Sequence, residues 1–481
     1  MTTWLTRAAG FCRGLVLSSR FVLWCLLAAL AVRLCWILAV DARPIDDFSW
    51  YYARAIGLAA GDGLTVHGLP TAYWPVGYPL LLAGLFLLTG PSLLAAKLLN
   101  VVLATGTVWL CYRTARRLFA SETAARMSML LVAFHPNQIA YTSLTASETP
   151  FLFLMLLGCL LLLRRKRRLR HDLLAGVVFG LGCLTKPTML FVPAVFFGLS
   201  LFSRPSWRTV ARSLVVYSAL ALVILPWSVR NYRAFQRPVF IVTSGGINLL
   251  IGNNPAATGG YGDADPASEA RLAAETDEGA RDLLAGTIAR DWIRQHPWRS
   301  IGLIPPRLWH LYAKDVEGFY WNELAGGAVE GPVAARPMLL LKIVAQLYYI
   351  GLLAMFAAGV LSLYVPSGAP GRLPVMSTLG LGLIIYFTLV MMMMFGSSRL
   401  HFPLIPCFAW YAGAWLGIPR AEPQPQLTAR SLALRTSASD MSKRYPTLRT
   451  VRMRAPSGPS FSRRRRMWTS TVRDRMSADR P

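Results

Sequence analysis

FVLWCLLAALAVRLCWILAV, residues 21–40, is followed at once by DARPIDDFSWYYARA, residues 41–55. The first stretch is apolar over the roughly 20 residues that a helix needs to cross a hydrocarbon core about 30 Å thick. The second sets acidic and aromatic residues at its boundary. The apolar run is too long for the core of a signal peptide, and no small-residue cleavage site follows it, so it reads as a retained first span. Nine further apolar runs fall near residues 92–111, 126–141, 149–163, 173–186, 187–202, 210–227, 337–362, 375–395 and 403–418. In 481 residues, 54% are hydrophobic and 15% charged, whereas a soluble domain carries about 25% charged residues. Mean hydropathy is +0.43. The predicted fold class is an all-α polytopic membrane protein of about ten transmembrane helices.

Net charge is +27, which on a soluble chain would point to nucleic acid. Its distribution argues for a membrane instead. With the N-terminus inside, nearly all the excess Lys and Arg falls on one side, RRKRRLR at 164–170 included, as cytoplasmic loops require. Both termini are then cytoplasmic. Two long segments, 41–91 and 228–336, lie outside and form a cap, the second with an amphipathic helix over 281–295. Residues 1–418 read as one membrane module. Residues 419–481, rich in Arg, Ser, Thr and Pro, read as a disordered cytoplasmic tail. The seven cysteines fall in spans or on the inner side without CxxC spacing, and read as packing residues. Arg33 stands inside the first span. There it costs about 2.5–3.5 kcal/mol unless partnered.

Candidate chemistry gathers at the outer ends. Asp46 and Asp47 stand just before a predicted helix. A poorly solvated carboxylate suits deprotonation of a sugar hydroxyl, while the same acids suit an N-cap and its dipole. Glu148 opens a span in SETP, with the same two readings. Lys186 in LTKP and Arg399 in SSRLHFP supply positive charge for a phosphate leaving group, or snorkel to headgroups. Tyr51, Tyr73 and His401 are further substrate-binding candidates. GGINLLIGNNPAATG, residues 245–259, offers Asn248, Asn253 and Asn254. Its Gly and Asn suit turns whose amides bind phosphate or sugar hydroxyls. Asp263 and Asp265 form a DxD that reads as solvated surface.

In order and topology, the acidic first loop with WPVGYP, then SETPF, PWSVRNY, GGINLLIGNNPAATG and SSRLHFP resemble the GT-C superfamily of membrane glycosyltransferases. The branch most similar comprises the bacterial relatives of protein O-mannosyltransferases and lipid A aminoarabinose transferases, over roughly residues 20–418. The resemblance implies an acid in the first outer loop that acts on the acceptor, here Asp46 or Asp47. It also implies basic residues on the carrier phosphate, here Lys186 and Arg399. It implies no required cofactor, with a divalent metal not favoured. A lysine that the aminoarabinose branch carries near WPVGYP is absent here, which leaves open whether Lys186 replaces it.

The expected function is transfer of a sugar from a polyprenyl-phosphate donor to an acceptor hydroxyl on the outer side of the cytoplasmic membrane. The bilayer, the donor lipid and a glycolipid, glycan or protein acceptor are the expected partners, and nucleic acid is not. A multi-pass transporter or flippase of lipid-linked glycans is the alternative. It would place ionisable residues deep in several spans, where only Arg33 is found.

Overall fold

The computed structural model describes residues 18–164, 166–326, 336–364 and 375–417; the tail expected over 419–481 lies outside them. The first span is α1, Phe21–Ala39. The segment after it folds as α2 (Asp46–Ala60), a two-residue hairpin β1–β2 (Thr65–Val66 with Leu69–Pro70) and α3 (Gly77–Thr89). Next come α4 (Leu93–Phe119), α5 (Glu122–Ala133), the short α6 (Pro136–Ala140), α7 (Glu148–Leu162), α8 (Leu169–Thr185), α9 (Val192–Ser203) and α10 (Trp207–Phe235). The second long segment holds α11 (Gly245–Gly252), α12 (Pro266–Ala273), α13 (Glu278–Gln295), α14 (Pro297–Gly302), α15 (Ile304–Tyr312) and α16 (Glu317–Ala325). Helices α17 (Arg336–Tyr364), α18 (Leu379–Met393) and α19 (Ile405–Gly417) complete the described chain.

The protein is an all-α polytopic membrane protein. Among the described residues, five helices are long and apolar enough to cross a membrane: α1, α4, α10, α17, and α18 with its leading turn. At 1.5 Å per residue, α1 spans about 28 Å. The other expected spans are shorter helices, several of them lodged inside the bundle. Helix α19 is buried from Ile405 to Ala414, as expected for a helix that is apolar on every face. Its Trp410 donates from Nε1 to Cys111 O at 3.3 Å.

The span expected over 126–141 is broken. Helix α5 stops at Ala133, His135 is extended and Pro136 starts α6. Pro136 pushes His135 out of the helical region. Arg33 answers the break: wholly buried, it donates from Nη1 to Ala133 O at 2.8 Å and from Nη2 to Val132 O at 3.4 Å. These carbonyls belong to the last turn of α5, where the i+4 partners of a helix run out; Val132 O also accepts from His135 N at 3.4 Å. The charge in α1 is thus a cap for another helix.

Two other expectations are corrected. Residues 77–89, counted as loop, form apolar α3, and α10 runs through Pro226 to Phe235 instead of stopping at PWS. The two long segments are stitched together by Glu278, which accepts from Thr71 Oγ1 at 2.7 Å, from Ala72 N at 2.8 Å and from Thr243 Oγ1. Arg230 at the end of α10 donates to Thr71 O at 2.9 Å and Leu64 O at 2.6 Å.

Helices α14 and α15 carry an inverted pattern. Trp298, Ile301 and Trp309 are 81%, 52% and 70% exposed, while Arg307 is 3% exposed. Positions 298, 301, 305 and 309 are three or four apart and share one helical face, so the tryptophans point out and the arginine points in. Arg307 donates to Gly252 O and Met392 O, both at 2.5 Å, and to Asn253 Oδ1 at 3.0 Å.

Candidate active site

Four charged side chains from four distant parts of the chain meet at one end of the bundle. Asp47 lies in the first turn of α2, Glu148 opens α7, Lys186 follows the last residue of α8, and Arg399 sits on the 3-10 turn Ser398–Leu404 that leads into α19. Arg399 is the hub. Its Nη2 is 2.7 Å from Asp47 Oδ2 and 3.2 Å from Glu148 Oε2, and its Nε donates to Glu148 Oε1. Lys186 Nζ reaches Glu148 Oε1 at 2.8 Å. Two acids meet two bases, so the tetrad is neutral. Burial works against the Arg399 charge, but Glu148 and Asp47 beside it raise its pKa well above the usual value. Its guanidinium also lies over the Phe48 ring, 4.9 Å from the centroid.

The sequence left Asp46 and Asp47 undivided; the structure places them differently. Asp46 is exposed, with φ at 44°, and is not among the tetrad's contacts. The Asp47 side chain is 14% exposed and paired. Neither acid caps α2: the N-cap residue is Ile45, and no side-chain cap bond is present there.

Gly77 of WPVGYP has a packing reason. A Cβ there would lie 2.6 Å from Leu184 C and 2.7 Å from Thr185 N. Helix α3 therefore begins against the backbone turn that carries Lys186. Gly77→Ala is expected to shift that turn and lower site function several-fold while the bundle still inserts; an unchanged turnover would show that Lys186 tolerates the shift.

Tyr51 and Tyr73 belong to an aromatic run beside the tetrad. Tyr73 meets Trp74 at 4.7 Å between centroids, and Trp74 meets Trp50 at 5.2 Å and Tyr51 at 6.4 Å. Burial, with Asp47 adding to it, pushes the Tyr51 phenol up, so it stays neutral.

The 245–259 segment differs from its expectation. Residues 245–252 are helical, and the amides at the start of α11 are taken: Gly246 N and Ile247 N donate to Asp282 Oδ1 at 2.6 and 3.2 Å. Asn253 and Asn254 are 1% exposed. Asn253 Nδ2 donates to Leu249 O and Met393 O, both at 2.9 Å, and Asn254 Nδ2 to Leu250 O at 2.9 Å. These amides tie the segment to α18 and to itself and are not offered to a ligand. Asn248 is half-buried on α11.

His401 also has another place. It is wholly buried, with Nε2 3.1 Å from Asp315 Oδ1 and Nδ1 2.5 Å from Leu311 O. His135 Nε2 lies 3.3 Å from Asp315 Oδ2, and Asn137 donates to Asp315 Oδ1. The sequence reading named His401 as a substrate-binding candidate but missed its partner Asp315, with His135 and Asn137, and Glu317 nearby. The available signal was polar HPNQ, residues 135–138, inside an expected span.

Residues 74–229 match the family described as dolichyl-phosphate-mannose-protein mannosyltransferase; the match takes in Glu148 and Lys186 and leaves out Asp47 and Arg399. Among solved structures, the apo oligosaccharyltransferase of Archaeoglobus fulgidus is 14% identical at TM-score 0.51, over 88% of this chain and 52% of that one. The same enzyme tethered to an acceptor peptide with the NVT sequon is 13% identical at TM-score 0.51, over 83% and 49%. The chain thus spans about half the length of these structures. ArnT from Cupriavidus metallidurans bound to undecaprenyl phosphate is 15% identical over 80% of this chain and 78% of that one, at TM-score 0.39, too loose an overlay to argue from. Comparison with curated protein sequences gives no match. The fold is that of the Archaeoglobus fulgidus oligosaccharyltransferase structures.

Proposed function

We propose that this chain is a glycosyltransferase that moves a sugar from a polyprenyl-phosphate carrier to an acceptor hydroxyl, with the tetrad end of the bundle facing outside the cytoplasmic membrane. The observation that carries the reading is the tetrad itself: two cations able to hold a phosphate, with a carboxylate held beside them. The family matched over 74–229 is named for a dolichyl-phosphate-mannose donor, which supports the same donor class.

In the resting site Asp47 and Glu148 compensate Arg399 and Lys186. A carrier phosphate entering between the cations displaces Asp47 from Arg399, while the buried Glu148 keeps both cations in place. Asp47 is then free to take the acceptor hydroxyl's proton. The acceptor oxygen attacks the anomeric carbon from the side opposite the phosphate, that carbon's bond to the phosphate oxygen breaks, and the sugar inverts. The leaving phosphate's charge rests on Arg399 and Lys186, already oriented when it develops. Glu148 stays matched to Arg399 and Lys186 throughout, and the proposed transfer is read as needing no divalent metal.

The test is purified protein in liposomes with a polyprenyl-phosphate sugar. Release of polyprenyl phosphate and an inverted glycoside, both undiminished by EDTA, is the expected result. Movement of the intact lipid-linked sugar across the bilayer, without release, would make the chain a flippase. Reporter fusions are expected to place residues near Arg167 inside and those near Asp62 and Ser268 outside; an outside signal at Arg167 would invert the proposed topology.

A further inference from the structure

The turn that carries Arg399 is gripped from one side by a single stretch of chain. Ser398 Oγ donates to Glu317 Oε1 at 2.6 Å. His401 faces Asp315 Oδ1 at 3.1 Å and Leu311 O at 2.5 Å. Both carboxylates lie within Asp315–Glu317, where α15 hands over to α16. Behind Asp315 stand His135 and Asn137 from the broken α5–α6 span. Tyr349 of α17 stacks on the far face of His401, 5.0 Å between centroids.

A 3-10 helix has three residues per turn, so side chains at i and i+3 eclipse one another. Ser398 and His401 are three apart and therefore define one edge of this turn. Arg399 leaves the axis about 120° away from that edge. Holding the edge at both ends fixes the rotation of the turn about its axis, and the rotation decides where the guanidinium points. The residues before Ser398 give no helical support: Ser397 is extended, at φ −153° and ψ 137°.

We propose that Glu317, together with Asp315, is a positioning residue that aims Arg399 at the carrier's phosphate. The proposal rests on the reading of Arg399 as a phosphate-holding group. Neither carboxylate touches the phosphate; each acts through the residue it grips. Asp315, wholly buried against two histidines, is too central to remove without threatening the fold, so the test is placed at the other end, where Glu317 is half-buried.

Glu317→Ala and Ser398→Ala each remove one side of a single hydrogen bond, whose net worth bounds the effect on carrier affinity at about tenfold. Expected are a rise of about that size in the carrier's apparent KM, a smaller change in kcat and a melting temperature close to the original. Glu317→Gln keeps an acceptor oxygen for Ser398 and is expected to recover most of the loss. The double Ala variant is expected to behave like either single one, because the two share one interaction. Undecaprenyl phosphate retention in native mass spectrometry separates two failures. If the unaltered protein retains none, the phosphate reading of Arg399 falls and takes this proposal with it. If the unaltered protein retains it and Glu317→Ala does so with equal affinity, only the positioning role is overturned. A lowered melting temperature with unchanged KM would likewise reduce Glu317 to a structural prop.

Discussion

Asp47→Asn is expected to express and insert as the unaltered protein does, yet to lose about 10²–10⁴-fold in turnover, the usual worth of a positioned general base. The substitution keeps size and one acceptor oxygen beside Arg399 and removes the proton-accepting charge. Asp46→Asn is the control. Asp46 is exposed and outside the tetrad, so its variant is expected to stay within about threefold of the original, because water's high dielectric weakens the effect of an exposed neighbouring charge. Single-turnover transfer with a preloaded donor separates chemistry from carrier binding. Equal, small losses in the two variants would exclude Asp47 as the base and turn attention to Glu148.

Arg399→Ala is expected to damage both stability and function. Its loss leaves Glu148, whose side chain is 1% exposed, with Lys186 alone. Removing one partner of a buried pair costs about 3–5 kcal/mol, so a clear fall in melting temperature is expected along with loss of carrier binding. Arg399→Lys restores charge without the guanidinium fork that reaches Asp47 and Glu148 together, and is expected to recover binding only in part. Adding Glu148→Gln to Arg399→Ala removes the stranded charge. That double variant is expected to regain thermal stability and to stay inactive. A double variant as unstable as Arg399→Ala alone would show that the instability has another source, such as the lost packing over Phe48.

Much of the fold was legible because apolar run length reports directly on a membrane. Each expected span is found as a helix or a helix pair, and the interruption at His135 was written in Pro136. Asp47, Glu148, Lys186 and Arg399 were recognisable as charges beside span ends, yet their meeting was not. Arg399 lies 352 positions from Asp47 and 251 from Glu148 in the chain, and no local periodicity reports on such a pairing. The glycine-rich 245–259 segment misled for a physical reason. Gly246 and Gly252 serve close backbone approach, to Asp282 and Met394, and glycine serves that purpose as readily as a turn. The partner of Arg33 was equally hidden, since backbone carbonyls freed by a helix break leave no side-chain signature.

The inverted pattern on α14 and α15 reaches beyond packing. Through Arg307 it is fastened to the end of α18, where Leu389 and Met393 are 54% and 67% exposed. Outward tryptophans that continue the apolar flank of a membrane helix have their lowest free energy at the lipid–water boundary. Seated there, the cap would float at a waterline set by its own side chains, with Arg307 as the mooring. A polyprenyl carrier rides at that same level, its phosphate in the headgroups and its chain below. On the proposed function donor and site share one depth, and their encounter becomes a search in two dimensions. Trp298 and Trp309, remote in sequence from the tetrad, would then govern how often carrier and site meet.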